Sequence, residues 1–162
     1  MNRLSFLGAV LLLSNSCVFG AQQFRDECEK VMKFVECPAP NYTSGNGSFG
    51  DLYTCIVGQA QTVKVFINET PGTINLKNVK LMWNDWTERL SYNAPIHADK
   101  AYALDYVTKF AKLYAPALSK QLTAAFVGNV NLTFDTPSYR IDYTYSHGPS
   151  IDERMLVVTP KN

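Results

Sequence analysis

The segment from Tyr139 to Val158 constrains the fold more than any other part of the 162-residue chain. Tyrosine or isoleucine occupies every second position from Tyr139 to Tyr145, with polar residues in between. This period of two is typical of a strand that buries one face. The turn sequence from His147 to Ser150 and a second apolar run up to Val158 follow, which indicates a hairpin. Such a hairpin needs a second layer to cover its tyrosine-rich face.

Upstream segments with helical periodicity can supply that layer. Apolar residues recur at helical spacing between residues 22 and 36, and Pro38 would end this helix. A second helical stripe begins near His97, and Pro116 starts a further helix that Gly128 would cap. Between these helices, residues 52–83 contain two or three predicted strands, with a helix over residues 51–61 as the alternative for the first of them.

Runs of strands that are segregated from runs of helices predict an α+β fold. We expect a single domain with a largely antiparallel sheet of four to five strands, packed against two or three helices.

The amino terminus predicts export. A positive start at Arg3 precedes the apolar run from Leu4 to Leu13, which is the layout of a secretory signal peptide. The run is shorter than the roughly 20 residues that a membrane span needs. Cleavage after Gly20 makes residues 1–20 the signal peptide and residues 21–162 a single α+β domain without a transmembrane segment. The expected location is periplasmic or extracellular, and Cys17 leaves lipidation as an alternative.

The cysteines predict one disulfide. Of four cysteines, Cys17 lies in the predicted signal peptide, which leaves Cys28, Cys37 and Cys55 in a setting where disulfides persist. Along a helix, Cys28 and Cys37 would lie about 13 Å apart, whereas a disulfide needs Cα atoms within about 7 Å. Cys55 is therefore the expected common partner, with Cys37–Cys55 favoured over Cys28–Cys55.

Charge and motif content exclude several classes of function. The 15 basic and 14 acidic residues nearly balance, and no block of lysine and arginine is present, so nucleic acid is not an expected partner. No Cys-x-x-Cys pair occurs and the two histidines lie far apart in sequence, so no metal site is expected. The glycine-containing loop near Gly45 lacks the lysine and helix of a phosphate loop, and no cofactor is predicted.

The densest aromatic group is the candidate binding surface. Trp83, Asp85 and Trp86 lie within four residues, with Tyr92 nearby. Two tryptophans that flank a carboxylate can anchor a protein or stack on a sugar. The alternative is structural, with Trp83 inward on its strand and Trp86 over the sheet edge.

The sequence assigns no catalytic residue. His147 with Asp152 or Glu153, and His97 with Asp99, are the candidate acid–base pairs. A histidine at a hairpin tip is usually just exposed, and an aspartate at a helix start is favoured by the helix dipole alone. No sequence motif connects either histidine to a nucleophile.

Three functions remain as hypotheses. The first is a small exported domain without enzymatic activity that binds a protein, such as an envelope accessory factor, an inhibitor or an immunity-type protein. The second is a secreted hydrolase or carbohydrate-active protein that uses the Trp83/Trp86 region with Asp85, His97 or His147. The third is a carrier that holds an apolar ligand between the sheet and the helices.

Overall fold

An antiparallel sheet of seven strands organises residues 23–88 and 95–161, which are the residues described by the computed structural model. The elements in chain order are α1 (Phe24–Val35), β1 (Asn41–Thr43), β2 (Leu52–Val57), β3 (Val63–Glu69), β4 (Leu76–Trp86), α2 (Lys100–Tyr114), a 3-10 turn (Pro116–Leu118), α3 (Ser119–Gly128), β5 (Leu132–Asp135), β6 (Tyr139–Ser146) and β7 (Ile151–Pro160).

The strand order across the sheet is β1-β2-β3-β4-β7-β6-β5. The first four strands form a meander, and the last three form a second one that runs back from the far edge. Both meanders meet where β4 pairs with β7, from Val79↔Val158 to Trp86↔Ile151. The helices α2 and α3 form the connection between the two meanders. The fold is therefore α+β, as the segregated sequence pattern predicts.

The sheet is larger than the predicted four to five strands. The additional edge strand β1 lies in a Gly/Asn/Ser-rich stretch that the sequence predicts to be a loop. All three of its residues are exposed, and it is held by backbone pairing with β2. A strand whose side chains do not enter a core needs no alternation of apolar and polar residues, so the sequence does not reveal it. The alternative of a helix over residues 51–61 is wrong, since Leu52–Val57 is strand β2.

The three helices cover one face of the sheet. Alternate residues of the central strands are buried beneath them: Val63, Val65, Ile67, Val79, Leu81, Trp83, Ile141, Tyr143, Leu156 and Val158. The helices contribute Phe24, Val31, Val35, Val107, Phe110 and Leu122 to the same cluster. The inward face predicted for β6 is confirmed, because Ile141 and Tyr143 are each 1% exposed while Thr144 is exposed. Within the described ranges no helix is long and apolar enough to cross a membrane.

A disulfide fixes the carboxyl end of α1 to the sheet. Cys37 follows the helix and is bonded to Cys55 of β2, with 6.0 Å between the Cα atoms, which confirms the favoured pairing. Cys28 keeps a free thiol inside the core, and burial raises its pKa to about 12. The thiol is therefore protonated at neutral pH and behaves as a small apolar group.

The hydroxyl of Tyr143 supplies the first prediction. It is buried and forms no hydrogen bond of ordinary geometry within the described residues, and burial raises its pKa to about 12 against the lowering effect of the nearby Arg154. An unsatisfied buried hydroxyl costs about 1–3 kcal/mol. We therefore expect Tyr143→Phe to leave the free energy of unfolding unchanged or raise it by about 1 kcal/mol. Denaturant unfolding measures this, and a loss above about 1 kcal/mol would show that the hydroxyl has a partner.

Candidate functional site

Two buried aspartates lie side by side where β4 ends and β7 begins. Asp85 and Asp152 are direct partners in the β4–β7 register, so their Cα atoms are about 4.5–5.5 Å apart. Both point to the helix-covered face, on the same side as Trp83 and Arg154, and they are 1% and 7% exposed. Two carboxylates in such surroundings need charged or hydrogen-bonding partners. Each aspartate has a histidine as one of these partners.

Asp85 is held by His97 and Arg154. His97 Nδ1 lies 2.9 Å from Asp85 Oδ1 and 3.0 Å from Oδ2. Arg154 Nη1 donates to Asp85 Oδ2 at 3.0 Å. The guanidinium is permanently charged and keeps a compensating positive charge beside the buried carboxylate.

Asp152 is held by three groups of the β6–β7 hairpin. His147 Nδ1 lies 2.7 Å from Asp152 Oδ1, and Tyr145 Oη donates to Oδ2 at 2.8 Å. The Gly148 amide also donates, at 3.4 Å. Burial by itself raises the pKa of Asp152, and the hydrogen bonds from Tyr145, His147 and Gly148 outweigh it and hold the pKa below its ordinary value. The carboxylate is therefore ionised at neutral pH.

Each of the two carboxylates determines the tautomer of the imidazole that it contacts. An ionised carboxylate only accepts hydrogen bonds, so each histidine donates from Nδ1–H, and neutral His97 and His147 have their lone pair on Nε2. Neither Nε2 is hydrogen-bonded to any residue in ranges 23–88 and 95–161, and the side chains are 53% and 73% exposed. A bound molecule can thus exchange a proton with either ring.

The backbone around His97 is held in an uncommon conformation. His97 has φ 57°, in the left-handed region that few residues other than glycine adopt. Its amide donates to the Trp86 carbonyl at 2.9 Å, and its carbonyl accepts from the Lys100 amide at 3.3 Å. These two bonds fasten the residue to the end of β4 and to the start of α2. Strained residues of this kind concentrate at functional sites.

The candidate pair of His97 with Asp99 does not form, and the preference for a structural role of Asp99 agrees with its contacts. The Asp99 carboxylate instead accepts hydrogen bonds from the Ala60 amide and from the amide and hydroxyl of Thr62, at 3.0–3.3 Å. It packs so closely on Gly58 that a Cβ at that glycine would lie 2.1 Å from Asp99 Cγ. Asp99 therefore anchors the β2–β3 turn to α2. The imidazole of His97 is instead hydrogen-bonded to Asp85, twelve residues earlier in the chain.

Arg154 joins four elements beneath the two histidines. Besides Asp85 on β4, its guanidinium donates to Asn129 Oδ1 from Nε at 3.0 Å and from Nη2 at 2.7 Å. Asn129 is the carboxyl cap of α3 and has φ 56°. The guanidinium carbon lies 4.7 Å from the ring centre of Trp83 and 5.0 Å from that of Tyr145. The base of the site is therefore rigid and closed by the arginine.

The structure separates the aromatic residues that the sequence groups together. Trp83 is 2% exposed beneath the helices, and its Nε1 donates to the Ala98 carbonyl at 3.2 Å. Trp86 lies on the opposite face of the sheet, because it is three residues further along the strand. Asp85 lies at the centre of the histidine cluster, and Tyr92 lies outside the described residues. Of the three that the structure describes, only Trp83 and Asp85 share a face.

Among the residues that the structure describes, the cluster provides acid–base groups, and no serine or cysteine side chain is hydrogen-bonded to either histidine. The Ser150 hydroxyl, close in sequence, donates to Glu88 Oε2 at 3.1 Å and to neither histidine. No group of three metal-binding side chains forms among the residues that the structure describes. The chemistry open to these groups is transfer of protons to and from a bound molecule or water.

The low pKa of Asp152 predicts a dependence of stability on pH. Because the folded pKa lies below the unfolded value of about 3.9, the ionised group stabilises the fold fully above that value, and this stabilisation is lost as the pH falls through the folded pKa. Asp152→Asn is therefore expected to cost stability at pH 7 and progressively less below about pH 4. Denaturant unfolding across this range measures the difference, with Asp105→Asn on the exposed face of α2 as the control. A difference that stays constant with pH would contradict the pairing.

Comparison with models of protein families, with curated proteins and with solved structures finds no match to this chain. Function is therefore argued from the site itself.

Proposed function

We propose that the protein is a hydrolase that works by general acid–base catalysis, with His97 and His147 as its catalytic residues. The observation that carries this proposal is the register of Asp85 with Asp152, which brings the two histidine–aspartate pairs to one end of the sheet. Buried carboxylates paired with exposed imidazoles are a common arrangement at active sites.

Two imidazoles can perform the two proton transfers of a hydrolytic reaction. One neutral histidine accepts a proton at Nε2 from the attacking water, while the other, protonated at Nε2, donates to the leaving group. Asp85 and Asp152 orient the rings and stabilise the imidazolium forms, as the carboxylate of a catalytic triad does. No acyl or glycosyl enzyme is required, which suits a cluster in whose described residues no serine or cysteine contacts the histidines.

Chromogenic model substrates test the proposal. Mature protein is incubated with p-nitrophenyl acetate, bis(p-nitrophenyl) phosphate and a p-nitrophenyl glycoside between about pH 5 and 9. We expect turnover of at least one of them, with a bell-shaped dependence of kcat/KM on pH, because one imidazole must be neutral and the other protonated. Turnover of none of the three, or turnover that survives in the double variant His97→Gln/His147→Gln, would contradict the proposal.

Binding of a protein through Trp86 is the second candidate function. Trp86 and its cross-strand partner Ile151 lie on the sheet face that the helices leave uncovered, and both are half-buried. Tryptophan is enriched among residues that dominate protein interfaces. A pull-down from an extract of the source cells compares Trp86→Ala with His97→Ala. Loss of a captured protein only in the Trp86 variant would support this candidate, and equal capture by both would contradict it.

The space beneath the centre of the helices does not support the apolar-carrier hypothesis. Between the sheet and the helices, the space lined by Trp83, Val107, Phe126, Tyr143 and their neighbours has no room for a water molecule. A carrier needs a cavity of roughly 300 Å³ or more.

Export remains a proposal, because the predicted signal peptide, residues 1–20, lies outside the described residues. The Cys37–Cys55 disulfide supports it, because disulfides persist in oxidising compartments.

A further inference from the structure

Four asparagines of the chain begin the tripeptide Asn-x-Ser/Thr: Asn41, Asn46, Asn68 and Asn131. This tripeptide is the acceptor for N-linked glycans in secreted proteins when its middle residue is not proline. The middle residues here are tyrosine, glycine, glutamate and leucine. The structure distinguishes the four asparagines by the environment of their side-chain amides.

Three of the four asparagines present a free amide nitrogen to solvent. Asn41, Asn46 and Asn131 are exposed, and their Nδ2 atoms form no hydrogen bond with any residue that the structure describes. Asn46 Oδ1 accepts from the Phe49 amide at 3.3 Å, and Asn131 Oδ1 accepts from the Tyr145 amide at 2.7 Å. Because the backbone holds the oxygen of these two amides, the nitrogen is left for a glycan.

The fold uses Asn68 differently. Asn68 lies on β3, is half-buried, and donates from Nδ2 to Asn78 Oδ1 on β4 at 2.9 Å. The two residues are direct partners in the β3–β4 register. A glycan on this nitrogen replaces one of its two N–H donors and stands on the sheet beside a cross-strand contact. Asn68 is therefore the internal comparison for the three exposed asparagines.

Two of the exposed asparagines mark the two edges of the sheet. The strand order places β1 at one edge and β5 at the other. Asn41 is the first residue of β1, and Asn131 directly precedes Leu132, the first residue of β5. An edge strand presents unpaired backbone N–H and C=O groups, which can pair with another chain and start aggregation. Each edge of the sheet therefore begins at an acceptor asparagine.

The two edge strands have little protection of their own besides being short. Lysine, proline and bulges are the usual devices, and neither Asn41–Thr43 nor Leu132–Asp135 contains one. The single charged residue of the two strands, Asp135, is neutralised by Lys161 at 3.0 Å. A further device at the edges is therefore expected.

Large apolar side chains are exposed beside the same asparagines. Tyr42 and Val130 adjoin the two edge asparagines in sequence, and Val130 is 59% exposed. Phe49 is 72% exposed and lies in one turn with Asn46, whose amide donates to the Phe49 carbonyl at 3.1 Å. A glycan is bulky and polar, so at these positions it shields apolar surface from other chains.

We propose that the protein carries N-linked glycans at Asn41, Asn46 and Asn131, and that the glycans at Asn41 and Asn131 keep the two sheet edges from pairing with other chains. In the attachment step, Nδ2 forms a bond to the anomeric carbon of a sugar. That carbon loses its bond to the pyrophosphate of a glycosyl pyrophosphate donor, and the amide releases one proton. Donor and transferase belong to the secretory compartment, so the inference rests on the export proposed above and is independent of the proposed catalysis.

Peptide mass spectrometry of the exported protein from its source cells tests the sites. Enzymatic release of N-linked glycans in ¹⁸O-labelled water converts each modified asparagine to a labelled aspartate. We expect this label at Asn41, Asn46 and Asn131, at higher occupancy than at Asn68. Label at Asn68 with none at Asn41 or Asn131 would overturn the inference.

The same digest reports the amino terminus and so separates a failure of this inference from a failure of export. A mature amino terminus near Ala21 with no label at the three exposed asparagines would overturn glycosylation and leave export standing. Retention of residues 1–20 in the isolated protein would overturn both, because the chain would not have reached the transferase.

Removal of the two edge glycans tests their protective role. Thr43→Ala/Thr133→Ala abolishes both acceptor tripeptides and leaves the asparagines in place, whereas the matched control Thr43→Ser/Thr133→Ser keeps both. The control also keeps a hydroxyl for the bond from Thr133 to Asp142. Secreted from the source cells and held at about 100 μM, the alanine variant is expected to aggregate several-fold faster than the serine variant by light scattering.

Production in a bacterial periplasm separates the glycan from the substitution. This compartment forms disulfides and adds no glycan at these tripeptides. The alanine and serine variants are therefore expected to aggregate at the same rate there. A difference between them that persists in the periplasmic proteins, or equal rates in the proteins from the source cells, would overturn the protective role of the glycans.

Discussion

Replacement of His97 or His147 by glutamine is expected to lower kcat/KM for hydrolysis about 10²–10⁴-fold, which is the contribution of a general acid or base. Each substitution is expected to remove one limb of the bell-shaped pH profile, because each histidine performs one of the two proton transfers. Glutamine keeps the approximate size of the ring and removes its titration.

Trp86→Ala is the matched control for these two variants. It lies at the same end of the sheet as His97 and His147 but on the other face, so it should keep the wild-type kcat/KM. Because both histidine side chains are more than half exposed, the variants are expected to remain folded. Full activity in His97→Gln and His147→Gln, with loss in Trp86→Ala, would reject the acid–base site and favour binding through Trp86.

Arg154→Met is expected to lower the free energy of unfolding by about 3–5 kcal/mol, the usual cost of breaking a buried ion pair by removal of one partner. Methionine keeps much of the apolar contact with Trp83 but leaves Asp85 with His97 and without the permanent positive charge. It also removes the bonds to Asn129 that fasten the end of α3.

Arg140→Met provides the matched comparison for Arg154→Met. Arg140, on the neighbouring strand β6, also pairs with an aspartate, Asp142, but its side chain is 57% exposed. An exposed pair contributes about 0–1 kcal/mol. Measured by denaturant unfolding, the losses in free energy of unfolding of the two variants are expected to differ by at least about 2 kcal/mol. Equal losses would mean that the Arg154–Asp85 pair is exposed to solvent rather than buried.

Alternation in the sequence predicts most of the fold. The period of two places Ile141 and Tyr143 inside, and the glycine and proline positions bound the helices correctly to within a few residues. The edge strand β1 is not predictable in this way, because its three residues are exposed and none of them enters the core. Helix geometry excludes a Cys28–Cys37 disulfide and makes Cys55 the common partner, and the structure decides between the two remaining pairings in favour of Cys37–Cys55.

The candidate site is only partly predictable. Asp85 shares its parity with Val79, Leu81 and Trp83, so the sequence contains the signal of a carboxylate on a buried face. Asp152 carries the same signal on β7. What the sequence does not contain is the register between β4 and β7, which joins residues 67 positions apart. Without that register the candidate partner of His97 is the nearby Asp99, whose carboxylate binds the β2–β3 turn instead.

The most direct test of the account is the tautomeric state of the two imidazoles, measured by long-range ¹H–¹⁵N NMR on protein labelled at histidine. At a pH where both rings are neutral, His97 and His147 are each predicted to carry the proton on Nδ1 and the lone pair on Nε2. Asp85→Asn should change the tautomer of His97 alone, and Asp152→Asn that of His147 alone. An Nε2–H tautomer or a mixture of tautomers at either histidine in the wild type would contradict the account.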